Sequence, residues 1–578
     1  MPKRYSCDVL IIGSGGAGLM AAYEAAKHGV RVAVVNKGPI QHTGATIMAN
    51  GSMAAVGKAW KLPNDSKEMH FRDVISGGRF LNNQEIAHRI VYEASAVMEE
   101  LEQLGAYFER NADGKTYALR TDGGHSYARS LFVEDRIGRE LVRTLVGEIF
   151  RRQIPVYENI MMTRIVRSKG DRETVCGAIG IDLFTQQFVI FECPSIVLAT
   201  GGVGYAYENS DNPIDLTGDG FALALECGLN LVDMEFIQFY PLGFLWPPAM
   251  KGLSGAYINH VHLYNAEGQR FLKKYSPVQM ELTTRDVLAG AMIREIREGR
   301  GSPHGGVYAD FRHLPPHTIE QEAPGLCTTY RNIGFDWETQ RLEVAPTAHF
   351  TMGGIEVDAD WSTKLPGLYG AGEVCGGVHG ANRVSQNALT DAVVSGKIAG
   401  RNAAYYALLD HGNHHIDPQV LEIDRIRLKN LYDSKDGMDV AAYRTALRKI
   451  LWEKIGVLRE RKGLEDGINQ LNSLANIPQK LCTTGDGLHQ EAIQALENQN
   501  MVEIAIAIAL SALNRCESRG AHIRTDYPMM DNNRYLKNTL IKKSGGDFYL
   551  AMRDVAFTFW TPDLGGASDE MALPHKYK

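Results

Sequence analysis

Asp8-Val-Leu-Ile-Ile12 runs directly into Gly13-Ser-Gly-Gly-Ala-Gly18, and the reading of the chain turns on these residues. An unbroken apolar run is what a parallel strand buried on both faces requires. An Ala-rich helical stretch follows to about His28, and Val30 to Val35 supplies a second strand. The glycines therefore sit where a strand hands over to a helix inside a β–α–β unit. Gly13 permits the tight turn, Gly15 lets the backbone approach a pyrophosphate, and Gly18 allows close helix–strand packing. The helix N-terminus then offers unpaired N–H groups and the positive end of its dipole to phosphates. An acidic residue that would hold the ribose is missing, because Asn36-Lys37 ends the second strand.

Two more glycine-rich handovers lie far downstream. Ser195-Ile-Val-Leu-Ala199 enters Thr200-Gly-Gly202 and then Thr217-Gly-Asp-Gly220. Gly367-Leu-Tyr-Gly-Ala-Gly-Glu373 leads through a Gly-rich loop to Ala381-Asn-Arg383 and a helix beginning near Asn387. Their separation implies one nucleotide domain interrupted by an insertion. The expected class is α/β: a Rossmann-like domain (1–235 and 347–412), an α+β capping insertion (236–346), a helical domain (413–530) and a C-terminal tail region (531–578). Within the insertion, Arg285 to Arg300 reads as helix and Gly306 to Phe311 as strand.

Composition narrows the classes. The chain has 578 residues, 44% hydrophobic and 22% charged, which is ordinary globular usage. Lys plus Arg is 61 and Asp plus Glu is 68, a formal net charge of −7, which gives no general reason to bind nucleic acid. The eight cysteines are scattered with no C-x-x-C pair, which argues against a zinc site, a disulfide framework or an iron–sulfur cluster in this chain and fits a reducing compartment. His411, His414 and His415 read as a polar loop, so no metal is expected. The apolar stretch Ile504 to Leu513 is far short of the ~20 residues of a membrane span. A cytoplasmic protein is expected, membrane-associated at most through a partner subunit.

Further motifs complete the pattern: Asp233-Met-Glu-Phe, Thr284-Arg-Asp-Val287, Thr347-Ala-His-Phe-Thr-Met-Gly-Gly354, His379-Gly-Ala-Asn-Arg383 and Glu517-Ser-Arg-Gly-Ala-His522. In this order they resemble the flavoprotein subunits of the succinate dehydrogenase and fumarate reductase family, which includes L-aspartate oxidase. The resemblance implies FAD, a small carboxylic-acid substrate and an iron–sulfur electron-transfer partner. It matches Arg383 and His349 to carboxylate donors and Arg285 to the proton donor for an alkene carbon. Cofactor contacts are expected from Gly13, Gly15, Gly16, Gly18, Asn36, Lys37, Gly44, Ala45, Thr46, Gly51, Ala199, Thr200, Gly201, Asp219, Glu373, Asn387, Ala388 and Leu389. Glu373 is matched to a ribose contact and the helix near Ala388-Leu389 to the pyrimidine end of the flavin. Set against this, an Arg-Asp pair at a helix start is usually a capping feature, and a lone histidine is usually structural.

Four departures bear on function. The family histidine that links FAD covalently aligns with Ala45, and His42 is three residues out of register, so noncovalent FAD is expected. Tyr240 and Leu242 replace a histidine and a threonine that contact substrate. Ser254 and Tyr257 stand at the positions of a Glu/Arg proton relay, leaving Tyr257 and His260 as nearby substitutes. Leu242 and Phe244-Leu-Trp-Pro-Pro248 would make the second-carboxylate side apolar. The expected substrate then has one carboxylate anchor and a bulkier or less charged remainder, and is not plain fumarate. An L-aspartate oxidase-like enzyme and an electron-transferring flavoprotein are the alternatives.

Overall fold

The computed structural model describes residues 2–57, 60, 64–168, 173–255, 260–410, 412, 414–434, 436–481 and 490–562. In chain order, the strands that position the site are β1 (Val9–Ile12), β2 (Val32–Val35), β3 (Val156–Tyr157), β4 (Ser195–Leu198), β5 (Ile237–Trp246), β6 (Leu342–Thr351) and β7 (Leu368–Gly370). The helices are α1 (Gly16–Ala26), α2 (Arg285–Glu295), α3 (Asn387–Leu409), α4 (Val440–Ile455), α5 (Arg461–Ala475) and α6 (Gln490–Asn514).

The nucleotide sheet is parallel, in the order β7-β4-β1-β2-β3. Val9 pairs with Val32 on one side and Ser195 on the other, so the three handovers all leave the same sheet edge. Every residue of β1, β2 and β4 is buried, as their apolar composition demands. Gly13, at φ +110°, has a conformation that a side chain would strain. A Cβ on Gly18 would lie 1.9 Å from the Gly13 carbonyl oxygen, which is why the helix can pack so closely.

The insertion folds on its own antiparallel sheet. β5 pairs with β6, which pairs with Val307–Asp310, and that strand with His262–Tyr264. Leu242, Phe244, Leu263, Leu288, Met292, Val307 and Val344 form its separate core. Tyr240 of β5 and His349 and Phe350 of β6 line the same cavity as the Gly13–Gly16 turn, so the insertion is seated over the nucleotide domain.

α4, α5 and α6 pack together downstream. The Ile504 to Leu513 stretch lies in α6 and is mostly buried in this helical core. Among the described residues no helix is long and apolar enough to cross a membrane. The region beyond 531 contains an antiparallel hairpin, Lys537–Ser544 with Asp547–Asp554, joined to Leu231–Val232 and Gly354–Ile355 in one sheet. The Gln84 side chain accepts from the backbone N–H of Phe559 and Trp560, pinning this segment to the first domain.

The Asp233 and Glu517 motifs meet in one buried network. Arg515 Nε donates to Glu235 at 2.6 Å and Nη1 to Glu517 at 3.0 Å, with Thr539 Oγ1 also on Glu235. Burial and Glu235 push the Asp233 carboxyl up to about 7, against the opposing pull of Arg515. Among the described residues no cluster is arranged to hold a metal ion. His414 bonds Asp410 and His415 lies 3.0 Å from Glu192, while His411 falls outside the described residues.

Candidate active site

One cavity of about 1590 Å³ runs from the glycine turn after β1 to the underside of the insertion. Ordinary small-ligand pockets span roughly 300–1,000 Å³, so there is room for a dinucleotide and a second ligand. The N-termini of α1, α2 and α3 all open into it, and none of their N-cap residues makes a side-chain capping bond. Apart from Gly16 N–H, which Thr46 takes, their first-turn N–H groups and their dipoles favour anionic occupants.

At the nucleotide end, Gly13, Gly15 and Gly16 form the floor, with Ala199, Thr200 and Gly201 beside them. Thr46 Oγ1 accepts from Gly16 N–H at 3.0 Å and fixes the turn. Asn36 also lines the cavity and ties two loops together, accepting from Ser14 N–H and donating to Gly38 O and Thr43 Oγ1. Lys37 turns to Asp219 at 2.8 Å and Glu497 at 2.7 Å, so this cation is neutralised by the protein. Gly44, Ala45, Thr46 and Gly51 line one side, Asp219 and Glu373 the other, with Ala388 and Leu389 at the start of α3. Glu373 Oε1 accepts from Thr351 N–H, and burial raises its carboxyl to about 7.

Two expected contacts do not line the cavity. Gly18 is spent on helix–strand packing. Asn387 turns inward, with Oδ1 against His70 Nε2 at 2.9 Å and its amide N–H groups donating to Val384 O and Ser385 O. Ala45 lines the cavity, whereas His42 is exposed and does not. The glycine floor, the open helix ends and the mixed apolar walls fit a flavin dinucleotide.

Arg285, His349 and Arg383 converge at the other end. Arg285 is the first residue of α2, and its Nη1 donates to Gln238 Oε1 at 3.3 Å while its guanidinium lies 4.9 Å from the Tyr240 ring. Gln238 Nε2 in turn donates to Arg383 O at 2.9 Å, so one glutamine fixes the spacing of both arginines. Arg383 is 5% exposed, stacks on Phe350 at 4.5 Å and has a buried Nε with no hydrogen-bond partner. Among the described residues neither guanidinium makes an ion pair. Burial, then the neighbouring Arg285 charge, pushes Arg383 down to about 9, which still leaves it cationic near neutral pH. A buried cation without a partner is costly, so this corner favours an incoming anion. His349 Nδ1 is 2.8 Å from Asp211 Oδ2. Burial, joined by the Arg383 and Arg285 charges, lowers the imidazole, against the opposing pull of Asp211.

The capping side differs from the sequence expectation. Leu242 and Phe244 belong to the insertion's own core and do not line the cavity, and Trp246 stacks on His304. The pairing of β5 with β6 shifts register after Tyr240 and after Phe244. The wall is made instead by Leu253 and Ser254 and by the segment Tyr275 to Thr284, on which Val278 and Leu282 are exposed. Tyr240 OH donates to Gly255 O at 2.8 Å, and burial raises the phenol to about 12. Tyr257 lies outside the described residues. The carboxylates that act electrostatically on Arg285 are Asp122 and Asp211, neither of them singled out in the sequence. Asp122 is held by Ser52 Oγ and Gln386 Nε2. No local pattern announces them, because each acts across the fold.

Comparison with known proteins agrees with this arrangement. The family described as FAD binding domain matches residues 8–389, and the one described as fumarate reductase flavoprotein C-term matches residues 444–565. One subunit of the fumarate reductase (CoM/CoB) of Methanothermobacter marburgensis is 38% identical over 91% of this chain and 95% of its own length. The fumarate reductase flavoprotein subunit of Mycobacterium tuberculosis is 32% identical, covering 96% of this chain and 98% of the relative. Among solved structures, an E. coli quinol fumarate reductase superposes with a TM-score of 0.89 at 30% identity, covering 97% of this chain and 98% of that one. Mycobacterium smegmatis Sdh1 gives 0.88 at 35% identity, covering 96% and 95%. The chain belongs to the flavoprotein-subunit family of fumarate reductases and succinate dehydrogenases, FAD-dependent oxidoreductases that act on CH–CH bonds.

Proposed function

We propose that this chain is the catalytic subunit that interconverts a saturated acid and its α,β-unsaturated partner, holding FAD without a covalent link and anchoring its substrate by one carboxylate. The observation that carries this reading is the buried Arg383 and the half-buried Arg285, set beside His349, neither of which makes an ion pair among the described residues. Bound FAD supplies the hydride chemistry. Arg383 and His349 hold the substrate carboxylate, and a guanidinium does so with paired N–H donors. Arg285, fixed on Gln238, holds the proton for the carbon next to that carboxylate, where negative charge develops. Asp122 and Asp211 are the ionisable groups positioned to act on Arg285 in place of the relay missing at Ser254. Ala45 at the family linkage position supports noncovalent FAD.

Leu242 and Phe244 do not line the cavity, so they raise no apolar wall against the second carboxylate of fumarate. What still favours a single anchor is that the Tyr240 hydroxyl is committed to Gly255 O and Ser254 is uncharged. The relatives are named as subunits, which supports electron exchange with a second chain, proposed here to be an iron–sulfur protein that would also supply any membrane attachment. Reduced-dye assays with fumarate and its monomethyl ester test the substrate reading. Comparable kcat/KM for the two is expected; a loss of about a thousandfold or more for the ester would show that a second carboxylate is read, and no turnover of either acid would overturn the reaction. Co-purification of an iron–sulfur chain tests the partner.

A further inference from the structure

We propose that Asp211 is a positioning residue that makes His349 a proton-accepting anchor, so that substrate anion binds together with one proton taken up at His349 Nε2. This rests on the carboxylate-site reading above and adds a carboxylate that sets the charge of the histidine through a direct bond to its Nδ1.

The dyad is built rather than incidental. The segment 209–212 is clipped along β6 beside His349: Ala348 N–H donates to Asn209 O at 2.9 Å, Ser210 Oγ to Ala348 O at 3.2 Å, and Asn212 Nδ2 to His349 O at 3.0 Å. Asn212 Nδ2 also donates to Asp211 Oδ1, leaving Oδ2 for the imidazole. The Asp211 side chain is 5% exposed and that of His349 is 29% exposed. With Nδ1–H committed to Asp211, the other ring nitrogen is the atom free to meet a ligand, and it donates to an anion only when protonated.

The groups facing the imidazole oppose one another. Asp211 favours the imidazolium; burial, Arg383 on the loop before α3 and Arg285 on α2 disfavour it; and the Tyr240 ring on β5 packs 5.2 Å away without a charge. The free site therefore holds His349 below the usual histidine range. An arriving carboxylate adds a negative charge beside Arg383 and Arg285 and removes their opposition, so the ring takes a proton from solvent onto Nε2. The sign follows: affinity is highest when His349 is already protonated, falls about tenfold per pH unit as pH rises past the free-state pKa, and levels off above that of the complex.

Calorimetric titration of the oxidised holoenzyme with fumarate, repeated in buffers of different ionisation heat between pH 6.5 and 8.5, reads both affinity and protons. The wild-type protein is expected to take up close to one proton per fumarate. Asp211→Asn keeps an acceptor for Nδ1–H but removes the charge. It should weaken fumarate by about tenfold or more at pH 7.5, shift proton uptake to lower pH and leave FAD content and melting temperature unchanged. Asp211→Glu should recover part of the affinity. Binding by the wild type without proton uptake, or superimposable pH profiles for wild type and Asp211→Asn, overturns the proposal while leaving the carboxylate site intact. If Asp211→Asn does not fold, His349→Gln provides the same test, and a variant that still takes up the proton overturns the proposal. Absence of any fumarate binding by the wild type overturns the carboxylate site itself, and the proposal with it.

Discussion

Arg515 and Arg383 are both almost entirely buried, yet their surroundings are opposite. Arg515 is surrounded by Glu235, Glu517 and Asp233 and also donates to the carbonyls of Tyr535 and Lys537. Arg383 has an aromatic face, a second cation nearby and an unpartnered Nε. A buried guanidinium saturated with carboxylates joins parts of a fold; one that no carboxylate among the described residues reaches as an ion pair is a standing demand for a ligand. Motifs in the sequence single out the neighbourhoods of both, and only the partners separate framework from site.

Breaking the site half of this contrast should give the largest effect. Arg285→Ala, loaded with FAD, is expected to lose about 10²–10⁴-fold in kcat, the usual contribution of a proton donor. A steady-state assay normalised to bound flavin checks this, and near-normal turnover would move the proton elsewhere. The framework half comes next. Arg515→Met leaves the buried Glu235 and Asp233 without their cation, while Glu517 keeps Arg519, and should cost about 3–5 kcal/mol in denaturant unfolding.

A smaller effect sharpens the contrast at a third arginine. Arg129 is saturated by Asp65 and Asp73, and burial, then the Arg129 charge, lowers its neighbour His125 to about 4. The unfolded chain protonates this histidine near pH 6.5. His125 therefore contributes stability that is present above pH 6.5 and lost as pH falls toward 4. Replacing it with Gln should narrow the stability difference between pH 7.5 and pH 5 by about 2 kcal/mol; an unchanged difference would mean that the ring is charged in the fold.

The parts of this molecule that are legible in the sequence are those written locally. β1, the glycine turn and α1 follow from a short run of consecutive residues, and the two later handovers repeat the same grammar. The family motifs bring Arg285, His349 and Arg383 into view, but not what surrounds them. The apolar wall expected from Leu242 and Phe244 is absent because both are taken up by the insertion's own core, whose other members, Leu288, Met292 and Tyr330 among them, lie far along the chain. The pairing of Asp211 with His349 spans 138 positions and leaves no trace in either segment. The C-terminal hairpin does carry a signal, Gly545-Gly546 between two runs of strand character, a turn-compatible pair.

Arg383→Met puts the central distinction to its most direct test, read as fumarate titration and thermal melting of the same FAD-loaded variant. The buried charge that lacks a protein partner disappears, so the melting temperature should hold or rise, while fumarate affinity should fall by about a hundredfold or more. A variant that melts markedly lower, as expected for Arg515→Met, or that binds fumarate as tightly as the unmodified chain, would contradict the assignment of Arg383 to the ligand rather than to the fold.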